Sequence, residues 1–149
     1  ITNQTTESGV MTMDEVIDWL LAYCKRHGII VLTRAEWPSG YVSTALPDQR
    51  LILYNPNWQP SSERPFILAH EIGHIIDQDP PAYPCEYVSV GEKCESSGNR
   101  TGIELLLQYS QTQDWHFKTP ENLMQTFGIP QTFRADAEWV LRHQFQLMK

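Results

Sequence analysis

Phe66-Ile67-Leu68-Ala69-His70-Glu71-Ile72-Gly73-His74-Ile75-Ile76 is the stretch on which the reading of this chain turns. Histidines four residues apart on a helix share one face, about a turn apart, where both imidazoles can reach one tetrahedral zinc. Glu71 follows the first histidine and is turned about 100° around the axis. From there its carboxylate reaches a water on the metal without having to ligate the metal itself. Zinc lowers the pKa of such a water from about 15.7 toward 7. Glu71 would take the water's proton during attack on a peptide carbonyl and pass it to the leaving amine. A single histidine on an apolar helix face is ordinarily a core residue satisfied by a hydrogen bond. Two at this spacing, with a glutamate between them, point to a metal.

Working outward, the helix that carries the motif starts near Ser61 or Ser62, either of which suits an N-cap. Pro65 falls early enough that its missing N–H costs little, and the helix runs to about Asp77. Pro80, Pro81 and Pro84 make a stiff loop behind it. Upstream, Thr12-Met13-Asp14-Glu15 has the form of a capping box. Val16, Ile17, Leu20, Tyr23 and Cys24 follow at helical spacing until Gly28. Three short β-rich segments come next, Ile29–Thr33, Tyr41–Ala45 and Arg50–Tyr54, divided by Pro38-Ser39-Gly40 and Pro47-Asp48-Gln49. Connections this short predict a small antiparallel sheet of about three strands. Downstream, helices are expected over roughly Glu92 to Tyr109, from Thr119-Pro120-Glu121 to Gly128, and from Pro130 to His143 or beyond. The fold class is α+β. Residues 1–11 read as a disordered tail or cloning remnant, and residues 12–149 as a single zinc metallopeptidase domain.

A catalytic zinc site needs a third protein ligand. In one pattern the helix breaks at a glycine and a third histidine follows, but Asp77 and Pro80 stand at those positions. The other pattern takes a carboxylate from a following helix, for which Glu86, Glu92, Glu95 and Glu104 are candidates. Glu95 is the best placed and Glu92 the runner-up. Asn99 lies four residues after Glu95 and could donate a hydrogen bond to a ligand from behind. Gly98 and Gly102, on nearly the same face, let this helix approach the histidine helix closely. The alternative for Glu95 is a solvated acid favoured by a helix N-terminus. Asp77 either orients a ligating histidine or ends the helix. His116, in Asp114-Trp115-His116-Phe117, is a weaker candidate for stabilising an oxyanion, a packed or surface histidine being the default. Tyr54, Tyr83 and Tyr87 could also serve there, and the sequence does not choose among them.

Composition narrows the function classes. The chain has 149 residues, 41% hydrophobic and 19% charged, and a formal net charge of −7, the balance of a globular domain. Affinity for nucleic acid comes largely from Lys and Arg that neutralise phosphates, so no direct DNA or RNA binding is expected. No apolar run approaches a membrane-spanning length, and Ile1 to Val10 lack the apolar core of a signal peptide. Three cysteines, Cys24, Cys85 and Cys94, read as a reduced, cytoplasmic protein. Export with a Cys85–Cys94 disulfide is the alternative.

The stretch Phe66 to Ile76 resembles the active-site helix of the ImmA/IrrE family of metallo-endopeptidases. Glu95-Ser96-Ser97-Gly98-Asn99-Arg100-Thr101-Gly102-Ile103-Glu104-Leu105-Leu106 is similar to that family's Glu-x-Glu-Ala-Asn-x-Phe-Ala-x-x-Leu-Leu segment. Leu123 to Pro130, with Phe133 and Arg134, is similar to its C-terminal helical pair. The chain departs from the pattern where the family's second acid is Ser97, its phenylalanine is Thr101 and its Leu-Met-Pro ending is Leu-Leu-Gln. The resemblance implies a gluzincin-like fold with His70, His74 and Glu95 on zinc and Glu71 as base. It also implies a protein substrate, namely a helix-turn-helix repressor of a phage or mobile element, that is cleaved or inactivated. A rival reading from another class is an anti-repressor that acts by contact alone, with a structural or vestigial zinc site. Oligomeric state is not readable from the sequence.

Overall fold

A computed structural model describes residues 12–78 and 89–147, and for 89–97 and 145–147 the backbone alone. The expected tail before residue 12, the proline loop, Glu86, Tyr83, Tyr87, and the Cys85–Cys94 pair lie outside what is described. Helix α1 is Met13–Arg26. Strands β1 (Ile30–Thr33), β2 (Thr44–Leu46) and β3 (Leu51–Tyr54) follow. Then come α2 (Arg64–Asp77), α3 (Ser89–Thr112), α4 (Pro120–Phe127) and α5 (Arg134–Leu147). The architecture is α+β, with five helices and one small sheet among the described residues.

The helix ends follow the local chemistry. Thr12 Oγ1 accepts the Glu15 backbone N–H at 3.1 Å and starts α1. Thr119 Oγ1 does the same for Asn122 at the head of α4. Gly128, at φ +71°, closes α4 in the left-handed conformation that glycine adopts without steric cost. The expected cap at Ser61 or Ser62 is not made. Those residues instead form a 3₁₀ turn, Ser61–Glu63, and α2 begins at Arg64 with no side-chain cap.

The sheet is mixed, which corrects the antiparallel expectation. Its order is β1-β3-β2. The short turn Pro47–Gln49 does give an antiparallel β2–β3 pair, with Ala45 opposite Ile52. β1, however, runs parallel to β3, with Val31 opposite Ile52. The cause lies in the connection 34–43. Asn55 is fully buried and donates from Nδ2 to the Pro38 and Tyr41 carbonyls, both at 2.8 Å. Asn57 Nδ2 likewise holds the carbonyls of Ala35 and Trp37. With its carbonyls engaged in this way the segment cannot fold back as a hairpin, so it carries the chain across to the far edge of β3. Tyr41 and Val42, expected in a strand, are exposed loop residues instead.

The core lies between the sheet and the helices. Leu20 and Val16 of α1, Ile52 of β3, and Leu68, Ile72 and Ile75 of α2 are fully buried together with Ile103 and Leu106 of α3. Phe127 seals the other end, its ring edge-on to Tyr109 and Phe117. Helix α2 thus runs through the middle of the molecule. It packs on α1, on the sheet and most extensively on α3.

Candidate metal centre

Both ends of α2 are tied down. At its start Arg64 Nε donates to the Trp58 carbonyl at 2.9 Å, and Trp58 Nε1 donates to Glu63 Oε1 at 3.0 Å. At its end Gln78 turns left-handed at φ 53°, and its backbone N–H reaches the carbonyls of His74 and Ile75. Apolar residues on most of its circumference hold the helix in the core and leave one stripe, His70 and His74, half-buried.

The two imidazoles converge. Nε2 of His70 and Nε2 of His74 are 3.1 Å apart, with the rings near-perpendicular. Two nitrogens bound to one tetrahedral zinc at about 2.0–2.1 Å stand about 3.3–3.4 Å apart. The pair is therefore within a few tenths of an ångström of the spacing that a shared metal requires. Phe66 and Phe133 flank the His70 ring at 5.6 and 6.1 Å between centroids, giving it an apolar wall. Glu71 is 8% exposed. Its place next to His70 in the helix puts this buried carboxylate beside the histidine pair.

Helix α3 comes against this face through three glycines. A Cβ on Gly73 would lie 2.4 Å from the Gly98 carbonyl oxygen. One on Gly98 would lie 2.5 Å from Nδ1 and Cε1 of His74, and one on Gly102 would lie 2.8 Å from the Ala69 carbonyl oxygen. Gly98 and Gly102 do what the sequence led one to expect. Gly73 is the third member, which the sequence reading passed over although it sits inside the motif. The close approach brings the backbone of this part of α3 to the histidines. Gly98 touches His74, and Glu95 precedes Gly98 by three residues, about 4.5 Å of helical rise. Glu92 stands a further turn away. Glu104 lies beyond Gly102, where burial and then the Asp77 charge raise its carboxyl above the usual range. Among the described residues no cluster of three metal-ligating side chains is complete, and the Glu95 side chain lies outside them.

The weaker candidates separate. Asn99 is 3% exposed and donates from Nδ2 to Asp136 Oδ2 at 3.2 Å. Asp77 is the last residue of α2, and both its oxygens accept the Thr101 hydroxyl, at 3.0 and 2.8 Å, which ties the helix end to α3. His116 is not brought to the pair. Its ring is 76% exposed beside Asp114, beyond the end of α3. The turn that carries it folds back only to Ser110, about 18 Å of helix from Gly98. Tyr54 is buried in the core, and burial pushes its hydroxyl pKa up. Asp136 went unnoticed in the sequence because its partners Asn99 and Arg100 are more than thirty residues away, a pairing that only the fold creates.

Converging histidines and a buried glutamate on one helix, closely crossed by a second helix, are an arrangement suited to a metal site. Residues 24–133, well over half of the chain, match the Peptidase_M78 family model, described as the IrrE N-terminal-like domain. The chain belongs to this family, which is the ImmA/IrrE family that its motifs resemble. Neither the curated proteins nor the solved structures gave a significant match.

Proposed function

We propose that the chain is a zinc-dependent endopeptidase, with His70, His74 and Glu95 holding the metal and Glu71 acting as general base. The observation that carries this reading is the 3.1 Å approach of the two Nε2 atoms on the helix that buries Glu71. When bound between these residues, zinc would supply Lewis acidity toward the scissile carbonyl and the attacking water. The chain's own part is positional and protonic. Gly98 and Gly102 let α3 close on the histidines, and the Phe66 and Phe133 rings flank His70. The Glu71 carboxylate takes a proton from water as the new C–O bond forms. It returns the proton to the amide nitrogen as the C–N bond breaks, leaving a carboxylate and an amine.

The substrate is proposed to be a protein, specifically a helix-turn-helix repressor of a phage or mobile element, met in the cytoplasm. Family membership and the net charge of −7, which disfavours direct competition for DNA, support this reading. Among the described residues no helix is long and apolar enough to cross a membrane. The test is Glu71→Gln. It should keep zinc affinity within about twofold while lowering peptide hydrolysis by about 10²–10⁴-fold. Parent-rate cleavage by this variant would sink the mechanism. Relief of repression by the variant, with the repressor's mass intact, would favour the anti-repressor reading instead.

A further inference from the structure

We propose that Asp136 is a positioning residue of the metal centre, acting by fixing the side-chain amide of Asn99. The inference rests on the metal-site reading above and deepens it. Asp136 lies on α5, beyond the last residue matched by the family model. It is 8% exposed and is held from two sides. Asn99 Nδ2 donates to Oδ2 and Arg100 Nε donates to Oδ1, both at 3.2 Å. The Arg100 guanidinium in turn lies 4.4 Å over the ring of Trp139, one turn further along α5.

The chemistry of this contact sets a direction. An ionised carboxylate can only accept hydrogen bonds, whereas a primary amide has one donor end and one acceptor end. Facing Asp136, Asn99 must turn its NH₂ outward, so its carbonyl oxygen is committed elsewhere. That oxygen is buried and meets no donor among the described residues. Buried acceptors are ordinarily satisfied, because leaving one bare forfeits the bonds it made to water. Asn99 directly follows Gly98, which lies against the His74 ring, and it stands one turn beyond Glu95. In this reading its donor belongs to the filled metal site: a water there, or the ring N–H of a histidine turned by the metal. Oxygen acceptors of this kind orient metal-bound histidines and raise their basicity. Asp136 makes Asn99 an acceptor, and Arg100 on Trp139 keeps Asp136 in place.

A double-mutant cycle on zinc affinity tests this, using chelator competition on the full chain. Asp136→Asn introduces an amide with an NH₂ of its own to offer, and so releases the Asn99 amide to flip. The expected result is about tenfold weaker zinc binding for D136N and 10–100-fold for Asn99→Ala. In the N99A background D136N should cause no further loss. Equal affinity of D136N and parent would overturn the inference, as would a D136N loss that persists undiminished in N99A. A purely structural clamp gives that second pattern. Should D136N not fold, the parent chain still decides the matter by NMR. The Asn99 NH₂ protons should exchange slowly, and their signals should move on adding zinc. Fast exchange and no movement would refute the role. If the parent's zinc binding survives loss of both histidines, the metal reading itself has failed and this inference falls with it. If it needs them and D136N binds equally well, only the role of Asp136 fails.

Discussion

Gly98→Ala separates the metal centre from the fold that carries it. The new methyl would lie 2.5 Å from two atoms of the His74 ring and 2.9 Å from its Nε2. The first distance is about 0.9 Å inside the 3.4 Å at which ordinary contact begins. The obstacle is a side chain, so the ring rather than the backbone will yield. Metal–ligand distances tolerate only about 0.2 Å, so a retreat of this size takes Nε2 out of bonding range of a metal shared with His70. Stability moves much less. Alanine is favoured over glycine in a helix interior by about 1 kcal/mol, which offsets part of an overpacking cost of about 1–3 kcal/mol. The variant should thus lose at most about 2 kcal/mol by urea denaturation, while zinc affinity falls by tenfold or more. Gly73→Ala provides the contrast. Its methyl meets backbone, the Gly98 oxygen at 2.4 Å and the Gly102 nitrogen at 3.0 Å, so the helices themselves must part and the larger loss is in stability. Parent-like zinc affinity in G98A would show that the His74 ring does not occupy the position on which the site has been built.

Two further outcomes follow from the rest of the molecule. Burial pushes the Cys24 thiol up to about 12, against about 8.5 in an unfolded chain. A raised folded-state pKa means stability is complete below about pH 8.5 and falls as pH rises toward the folded value, by at most about 1.4 kcal/mol per pH unit. Cys24→Ala should flatten that slope in urea melts between pH 8 and 10, though not abolish it, because burial raises Tyr54 and Tyr109 in the same sense. An unchanged slope would contradict the assignment. Asn55→Ala strips two donors from the carbonyls of Pro38 and Tyr41. It should cost about 1–3 kcal/mol and raise hydrogen exchange or proteolysis in 34–43 selectively, and a uniform change along the chain would argue against a local role.

The parts of this protein that were legible in its sequence are those set by neighbours along the chain. The His70–His74 spacing, the Thr12 and Thr119 caps, the Gly128 stop and the amphipathic α1 depend on residues within one helical turn, and each forms where the pattern placed it. Glu95 could be singled out for the same reason, since its relation to Gly98, Asn99 and Gly102 is helical periodicity. What the tertiary structure decided involves partners brought together from a distance. Strand direction in the sheet depends on how Asn55 and Asn57 hold a loop about twenty residues upstream, and strand propensity carries no information about that. The cap expected at Ser61 or Ser62 yielded to a 3₁₀ turn braced by Trp58 and Glu63. Gly73 reads as a weak helix residue until α3 is laid across it, when it becomes the point of closest approach. Asp136 reads as an ordinary acid of a last helix until folding sets it between Asn99 and Arg100. Periodicity placed the histidines on one face of a helix, and only packing determined what would be pressed against that face.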